Sequence, residues 1–399
     1  MKADWKAGQI GDVCTVIAGQ SPKGSAYNEQ GLGLPFYQGK KEFADRYLGP
    51  PTTWTKSVTK KAEAGDILMS VRAPVGPINE ATEAICIGRG LAAIRPGDRL
   101  NRDYLWYALL WLQPEIKGNA GAVFESINKA GIEKLEIPLP PLKEQQRIVA
   151  VLDEAFDGLA RARAHAEANL QNARELFERS AEITFEESAA NDNPQTFLVE
   201  ELALPEKGSI RTGPFGSQLK HSEFVDEGIS VLGIDNAVQN EFRWGKARFI
   251  SEEKYEGLRR YTVKPRDVII TIMGTCGRCA IIPDDIPVAV NTKHLCCISL
   301  DQSKCLPEFL HRYFLHSPQG REYLSAQASG SVMDGLNMGI IKAMPVDVPP
   351  LEKQQSIADK LAEIDEHTRQ LAEYYKSKVQ DLGHLRQSLL QKAFAGELT

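Results

Sequence analysis

The sequence predicts an α+β protein in which two pseudo-symmetric globular domains are separated by two long antiparallel coiled-coil helices. Three observations carry this expectation. A proline–glutamine motif occurs twice, an unbroken 3.5-residue apolar period follows each copy, and short alternating runs bounded by Gly, Pro and Asp occupy the remainder.

The repeat comes first because it sets the frame for every later assignment. Pro140-Pro141-Leu142-Lys143-Glu144-Gln145-Gln146-Arg147-Ile148 returns as Pro349-Pro350-Leu351-Glu352-Lys353-Gln354-Gln355-Ser356-Ile357, 209 residues later. At the same offset Gly121-Ala122-Val123-Phe124 faces Gly330-Ser331-Val332-Met333, Asn128 faces Asn337 and Ile132 faces Ile341. Upstream, the run from Gly65 to Val71 resembles that from Arg266 to Ile272 at an offset of 201, the drift reflecting loops of unequal length. Several matches in one order indicate a tandem duplication of a globular domain and its tail.

Both tails read as helices. Ile148, Leu152, Ala155, Leu159, Ala162, Ala166, Asn169, Ala173, Leu176, Ser180 and Ile183 step alternately by four and three. Ile357, Leu361, Ile364, Thr368, Leu371, Tyr375, Lys378, Leu382, Leu385 and Leu389 repeat the phase. A sustained heptad marks a supercoiled seam, and each proline pair marks a helix start because proline does not fit a helix interior. About 45 residues at ~1.5 Å rise give each helix roughly 65 to 70 Å. The first seam is rich in Ala and the second is heavier, so each helix suits the other, and a pseudo-two-fold makes them antiparallel. A pair of solvated linkers or a generic dimerisation coil is the competing reading.

Within the globular parts, Asp66 to Val71 and Val268 to Met273 read as strands, and Arg102 to Leu112 and Pro307 to Phe314 as one helix each. The expected organisation is a first globular domain over 1–139, a central helix over 140–189, a second globular domain over 190–345 and a C-terminal helix over 346–399. Asn191-Asp192-Asn193-Pro194 marks the entry to the second domain.

Composition narrows the function. With 42% apolar and 25% charged residues among 399, the chain can fill large cores. No apolar run approaches the ~18 residues of a membrane span, and Met1-Lys2-Ala3-Asp4-Trp5-Lys6 lacks the apolar stretch of a signal peptide, so a cytoplasmic location is expected. Seven cysteines suit reduced small hydrophobes better than a disulfide framework.

Catalytic signatures fail one by one. Gly19 to Ser25 has the glycine spacing of a phosphate loop without its lysine, and Gly31-Leu32-Gly33 lacks a third glycine. Asn193-Pro194-Gln195-Thr196 is not the Asn/Asp-Pro-Pro-aromatic clamp of an adenine methyltransferase. Asp98 with Glu115-Ile116-Lys117 lacks the proline of an acidic nuclease motif. Cys276-Gly277-Arg278-Cys279 has zinc-knuckle spacing, but the adjacent Cys296-Cys297 strains tetrahedral ligation, which favours cysteines packed in strands around a glycine turn. No catalytic residue and no metal ligand is therefore assigned.

The net charge of −6 conceals an uneven distribution. Residues 1–139 hold 17 Lys and Arg against 15 Asp and Glu, whereas 140–189 hold 6 against 10. Basic and amide side chains collect on loops: Gln38, Lys40, Lys41, Arg72 and Arg89 in the first copy, and Lys220, Asn236, Arg278, Lys293 and His294 in the second. Such side chains suit base edges, because Gln and Asn pair with adenine and Arg and Lys with guanine. These ten are the candidate DNA-binding residues, each of which could equally be an ordinary solvated loop residue.

The full order of globular domain, Pro-Pro-Leu-x-x-Gln-Gln-x-Ile, heptad helix, second domain, second motif and second helix, closing on Ala393-Phe394-Ala395-Gly396-Glu397-Leu398, resembles the specificity subunit of a type I restriction-modification system. The first helix departs from that ending with Ile183-Thr184-Phe185-Glu186-Glu187, as a chain continuing into another domain requires. The resemblance implies a non-catalytic subunit with two target-recognition domains, each reading half of a split double-stranded DNA site. It implies docking of two methyltransferase subunits and, through them, motor-nuclease restriction subunits, with S-adenosylmethionine, ATP and Mg acting in those partners and no cofactor in this chain. Helix pairing and docking then fall to Gln145, Gln146, Ile148, Leu152, Leu159, Gln354, Gln355, Ile357, Leu361, Ile364, Leu385 and Leu389. A free-standing enzyme and a coiled-coil adaptor without DNA contact are the readings from other classes, separable by turnover of the isolated chain and by salt-dependent DNA binding.

Overall fold

A computed structural model describes residues 5–116, 126–329 and 335–398. The paired runs Gly121-Ala122-Val123-Phe124 and Gly330-Ser331-Val332-Met333 lie outside the described residues, as do Met1 to Asp4. The chain divides into two compact units, one of Met1–Glu167 with Lys376–Thr399 and one of Ala168–Tyr375. Each unit combines a globular domain with parts of both long helices, Leu142–Asn191 and Leu351–Ala395.

In the first unit, strand Lys6–Gln9 pairs antiparallel with Glu136–Leu139 and brings the domain's two ends together where the long helix begins. A four-stranded antiparallel sheet runs in the order Cys14–Ala18, Leu91–Pro96, Ile67–Ser70, Ile78–Glu80. Strand alternation gives this sheet two apolar faces. Ile67, Met69 and Ile94 join the core around helix Arg102–Leu112, while Leu68, Leu91 and Ala93 join a second core with Tyr37, Ile85 and Ile87. The second core is closed by a five-stranded sheet in which Leu34–Tyr37 lies parallel to Ile85–Ile87. Asn101 caps the domain helix, its side chain accepting from the Tyr104 amide.

The second unit repeats this plan, with a smaller sheet of three strands in place of five. Gln195–Leu198 pairs with Pro345–Val348, and the main sheet runs Ile210–Thr212, Leu295–Ile298, Val268–Thr271, Cys279–Ile281. Ile229–Leu232 lies parallel to Ala289–Asn291. Val268 and Ile270 face the core around helix Pro307–His316, and Ile269 faces the other way. The cysteines follow the same alternation: Cys296 enters one core and Cys297 the other, so adjacent thiols sit on opposite faces of one strand. Burial pushes the Cys296 thiol up to about 12.

A buried aspartate recurs at the same place in both sheets, paired with an arginine from a different strand in each: Arg95 on Leu91–Pro96 is 41% exposed, and Arg211 on Ile210–Thr212 is buried. Asp66 accepts two bonds of 2.7 Å from Arg95, and Asp267 accepts one of 2.5 Å from Arg211. Each aspartate also accepts a backbone amide three residues upstream, from Glu63 and Lys264. That tight turn requires the preceding residue to adopt positive φ, supplied by Gly65 at 88° and by Arg266 at 68°.

The long helices run antiparallel in each unit. In the first, Ile148 and Leu152 share a core with Leu390, Ala393 and Phe394, and the Arg386 guanidinium lies 4.9 Å from the Phe156 ring centroid. In the second, Lys360 pairs with Glu187 and Lys353 with Asp192. Phe394 packs against Tyr104 with ring centroids 5.3 Å apart, and Phe185 packs against Tyr313 at 5.7 Å. Each domain therefore holds the start of the helix that follows it and the end of the other.

The heptad frame does not persist to the helix ends. Leu176 and Ile183, expected in the seam, are 52% and 41% exposed, and Leu385 is 46% exposed. Ala173, Phe177, Ala181 and Phe185, four residues apart, are buried instead. A helix end packed on a globular core follows the contour of that core, whereas only a helix bound solely by its coiled-coil partner must keep the 3.5 period. Leu385 therefore lies off the face that pairs the two helices. Ile148, Leu152, Ile357 and Leu361 are fully covered, and Leu159, Ile364 and Leu389 are half-buried.

The contrast is measurable by urea unfolding of the full chain. Leu361→Asp places a charge among buried apolar neighbours and should cost about 3 to 5 kcal/mol. Leu385→Asp should remain within about 0.5 kcal/mol of the parent.

Candidate nucleic-acid interface

The first glutamine of each Pro-Pro-Leu-x-x-Gln-Gln motif joins a domain to its helix. Gln145 is buried; its Oε1 accepts the Asn101 amide at 2.8 Å, and its Nε2 donates to the Pro140 and Arg99 carbonyls at 2.8 and 3.1 Å. Gln354 repeats this with the Leu306 amide at 2.8 Å and the Pro349 and Lys304 carbonyls at 2.8 and 2.9 Å. Both were expected to serve helix pairing, but their amides bind the loop preceding the domain helix. The second glutamines, Gln146 and Gln355, lie about 100° further round the helix and are exposed. Gln355 donates to Asp359 at 2.8 Å.

Given this anchoring, each domain turns a cluster of three loops outward. In the first unit they follow Leu34–Tyr37, follow Ile67–Ser70 and connect Ile85–Ile87 to Leu91–Pro96. Backbone bonds lock them together: Gly88 donates to Tyr37, Gly90 to Gln38 and Val71 to Gly90, at 2.8 to 3.1 Å. A Cβ on Gly90 would collide with the Gln38 carbonyl, so glycine is required there. The loops enclose a recess of about 350 Å³ lined by Gln38, Lys40, Ser70, Arg72 and Arg89. Four of the five residues expected to bind DNA in the first copy thus converge, with Lys41 exposed beside them.

Charge pairing separates these cations from structural ones. Arg46 pairs with Glu80 and Asp103, Arg95 with Asp66, and Arg102 with Glu80. Among the described residues, no carboxylate lies within ion-pair distance of Lys40, Lys41, Arg72 or Arg89. Exposed cations left free on one recess are suited to phosphates and base edges.

The second unit builds the same junction. Thr292 donates to Leu232 at 2.9 Å and Ile272 to His294 at 2.9 Å, the counterparts of the Gly88–Tyr37 and Val71–Gly90 bonds. This places Lys293 and His294 where Arg89 and Gly90 stand in the first unit, both half-buried. Burial, then the charges of Lys293 and Arg248, push His294 below its ordinary value. Arg278 is exposed on the turn between Val268–Thr271 and Cys279–Ile281, its amide donating to Thr271 Oγ1 at 2.9 Å. Lys220 is exposed outside this junction, in a segment packed through Leu219 and Phe224 on the small core of Val231, Ile250, Leu258 and Val290.

Asn236 is a correction. It was expected on a reading loop, but it is buried, its Oδ1 accepting from Gly233 at 2.9 Å and its Nδ2 donating to Arg243 at 2.9 Å. Sequence reasoning treated an amide after a strand as free and overlooked that a Gly-Ile-Asp-Asn turn consumes it locally. It also missed Arg248, which pairs with Asp235 at the junction. The run Trp244-Gly245-Lys246-Ala247-Arg248, with Trp244 exposed, was the available signal.

His311 ties the Asn240 turn to strand Cys279–Ile281. Its Nε2 lies 2.9 Å from the Asn240 carbonyl and 3.1 Å from the Cys279 carbonyl, two acceptors, so this nitrogen carries the proton. Burial pushes His311 from 6.5 to about 4.

The duplicated α+β domain presents cations from matched loop clusters, with an amide, Gln38, in the first alone. The chain matches the family described as the type I restriction modification DNA specificity domain over residues 2–166 and again over 224–380, and it belongs to that family. As a specificity subunit it is a recognition component and not a catalyst.

Among its relatives are the putative type I restriction enzyme MjaX specificity subunit of Methanocaldococcus jannaschii, 39% identical over 43% of this chain, and the EcoBI specificity subunit of Escherichia coli, 24% identical over 76%. The matches span 41% and 67% of those proteins. The MjaVIII specificity subunit of M. jannaschii is 23% identical over 91% of this chain and 86% of its own length. A solved chain from work on complex assembly and conformational transition of the type I R-M system is 16% identical, covers 100% of this chain and 99% of its own, and superposes with a TM-score of 0.78, which shows a shared fold.

Two stability measurements test these anchors. Gln145→Leu or Gln354→Leu leaves a buried amide and two carbonyls unmatched and should cost about 3 kcal/mol in urea unfolding, whereas Gln146→Leu should cost less than about 0.5. Because His311 titrates lower folded than unfolded, its stabilisation is complete above pH 6.5 and declines as pH falls toward 4. Wild type should lose about 3 kcal/mol over that window that His311→Gln does not.

Proposed function

We propose that this chain reads a bipartite double-stranded DNA site, one half by each domain, and delivers it to two methyltransferase subunits. The observation carrying this reading is the recurrence of one three-loop junction in both copies, bearing Gln38, Lys40, Arg72 and Arg89 in the first and Arg278, Lys293 and His294 in the second. The covered faces of the long helices anchor the domains, and their exposed faces, including Gln146 and Gln355, are assigned to partner docking. Restriction subunits would join through the methyltransferase partners. S-adenosylmethionine, ATP and Mg are assigned to those partners and none to this chain. Among the described residues no helix is long and apolar enough to cross a membrane. Action on DNA in the cytoplasm belongs to the same proposal.

Methylation mapping in a host strain lacking the gene, complemented with variants, tests the division of labour. A chimera carrying another family member's residues in place of 1–139 should change one half of the methylated site and preserve the other. Change in both halves would refute independent reading. Arg72→Ala and Arg89→Ala should act on that first half alone. A base contact should relax one position by about 1 to 3 kcal/mol, while a phosphate contact should weaken all sequences alike and lower the salt slope by about one unit.

A further inference from the structure

At the second junction the chain makes a substitution that the first does not. Strand register equates Gly233 with Gln38, since Leu232 pairs with Asn291 as Tyr37 pairs with Ile87. Gln38 lines the first recess and carries a side chain there. Gly233 has none, and a Cβ there would stand 2.6 Å from Arg248 Nη2 and 2.9 Å from Asp235 Oδ1. The vacated space therefore holds a guanidinium brought from the neighbouring segment.

That guanidinium is held rigidly. Its Nη2 donates to Asp235 Oδ1, and the other carboxylate oxygen accepts the Lys246 amide at 2.7 Å. A Cβ on Gly245 would collide with the same carboxylate, so two glycines make room for one ion pair. Arg248 is partly exposed, and among the described residues nothing pairs with its Nη1. Its Nη2 stands against Gly233, the position that Gln38 holds at the first junction. A salt bridge serving stability alone needs neither the paired glycines nor a position at the mouth of the junction.

We propose that Arg248, oriented by Asp235, reads a guanine in the half-site bound by the second domain. Guanine O6 and N7 accept two parallel N–H bonds from one guanidinium, and a carboxylate behind it fixes the fork before DNA arrives, reducing the ordering cost of binding. Lysine has the charge without the fork and cannot replace it. The inference rests on the DNA-reading function proposed above.

The test uses the full chain assembled with its methyltransferase subunits. The probes are a duplex bearing the mapped site and duplexes with single base-pair substitutions across each half. Wild type should prefer G·C at one position of the second half by about 5- to 150-fold. Arg248→Ala and Arg248→Lys should both reduce that preference below about 3-fold, and Asp235→Asn should give an intermediate value. Other positions, including the first half, should be discriminated as before. Unchanged preferences would overturn the proposal. So would uniform weakening of all duplexes with a shallower salt slope, which marks a phosphate contact, or loss of preference throughout the second half in both Arg248 variants, which marks a structural role. If the wild-type complex discriminated at no position of either half, the DNA-reading function itself would fall and the proposal with it.

Discussion

The buried amides of Gln145 and Gln354 are the bonds on which the rest of each unit depends. Each satisfies the carbonyl of the helix-starting proline pair and, through its other contacts, the loop that launches the domain helix. Proline fits a helix start because the first-turn amides have no acceptor within the helix. A side-chain amide from within the helix donates to the carbonyl of the first proline and to the domain loop, coupling helix to domain in the same step. An aliphatic residue could fill the volume but would leave polar backbone buried without partners. The motif is therefore a joint, and the apolar core around Tyr104 and Phe394, or Tyr313 and Phe185, keeps it dry.

From that joint outward, the sheets convert a period of two into a division of labour. In each main sheet, alternate residues of one strand enter two different cores, one facing the domain helix and one facing the smaller sheet that carries the loops. The buried aspartate pairs at Asp66 and Asp267 brace the base of the strand whose far end leads into the junction. Loops held at both roots in this way can vary in side chains without moving their backbones. The two junctions share the Gly88–Tyr37 and Val71–Gly90 type of backbone bond and differ in what fills them: a glutamine and free arginines in one, a buttressed arginine with lysine and histidine in the other.

Much of this was legible in the sequence because it repeats. Duplication, helix starts, the two domain helices and the alternating strands all follow from spacing, and spacing survives when side chains change. Site residues were less legible. Lys40, Arg72 and Arg89 lie just after strands, so reading them as loop cations sufficed to bring them together. Asn236 stands in the same kind of position and is buried, because only the turn geometry shows that its amide is consumed by Gly233 and Arg243. Arg248 escaped notice for the converse reason. It lies at the edge of strand Phe249–Ile250 and reaches the junction only because Gly233 leaves room, a relation between segments that no local pattern expresses.

The helices teach a related limit. A strict heptad was read through Leu176, Ile183 and Leu385, and these are exposed, because an apolar residue at heptad spacing states a period and not a partner. Between the ends the frame is covered in part: Ala166 and Thr368 are buried, while Leu371 is 38% exposed. On the globular core of the second unit, Phe177, Ala181 and Phe185 take over at four-residue steps and the old frame turns outward. Leu176, Ile183 and Leu385 thus keep the spacing of a seam without its burial, so apolar period and apolar contact are separate properties of these helices.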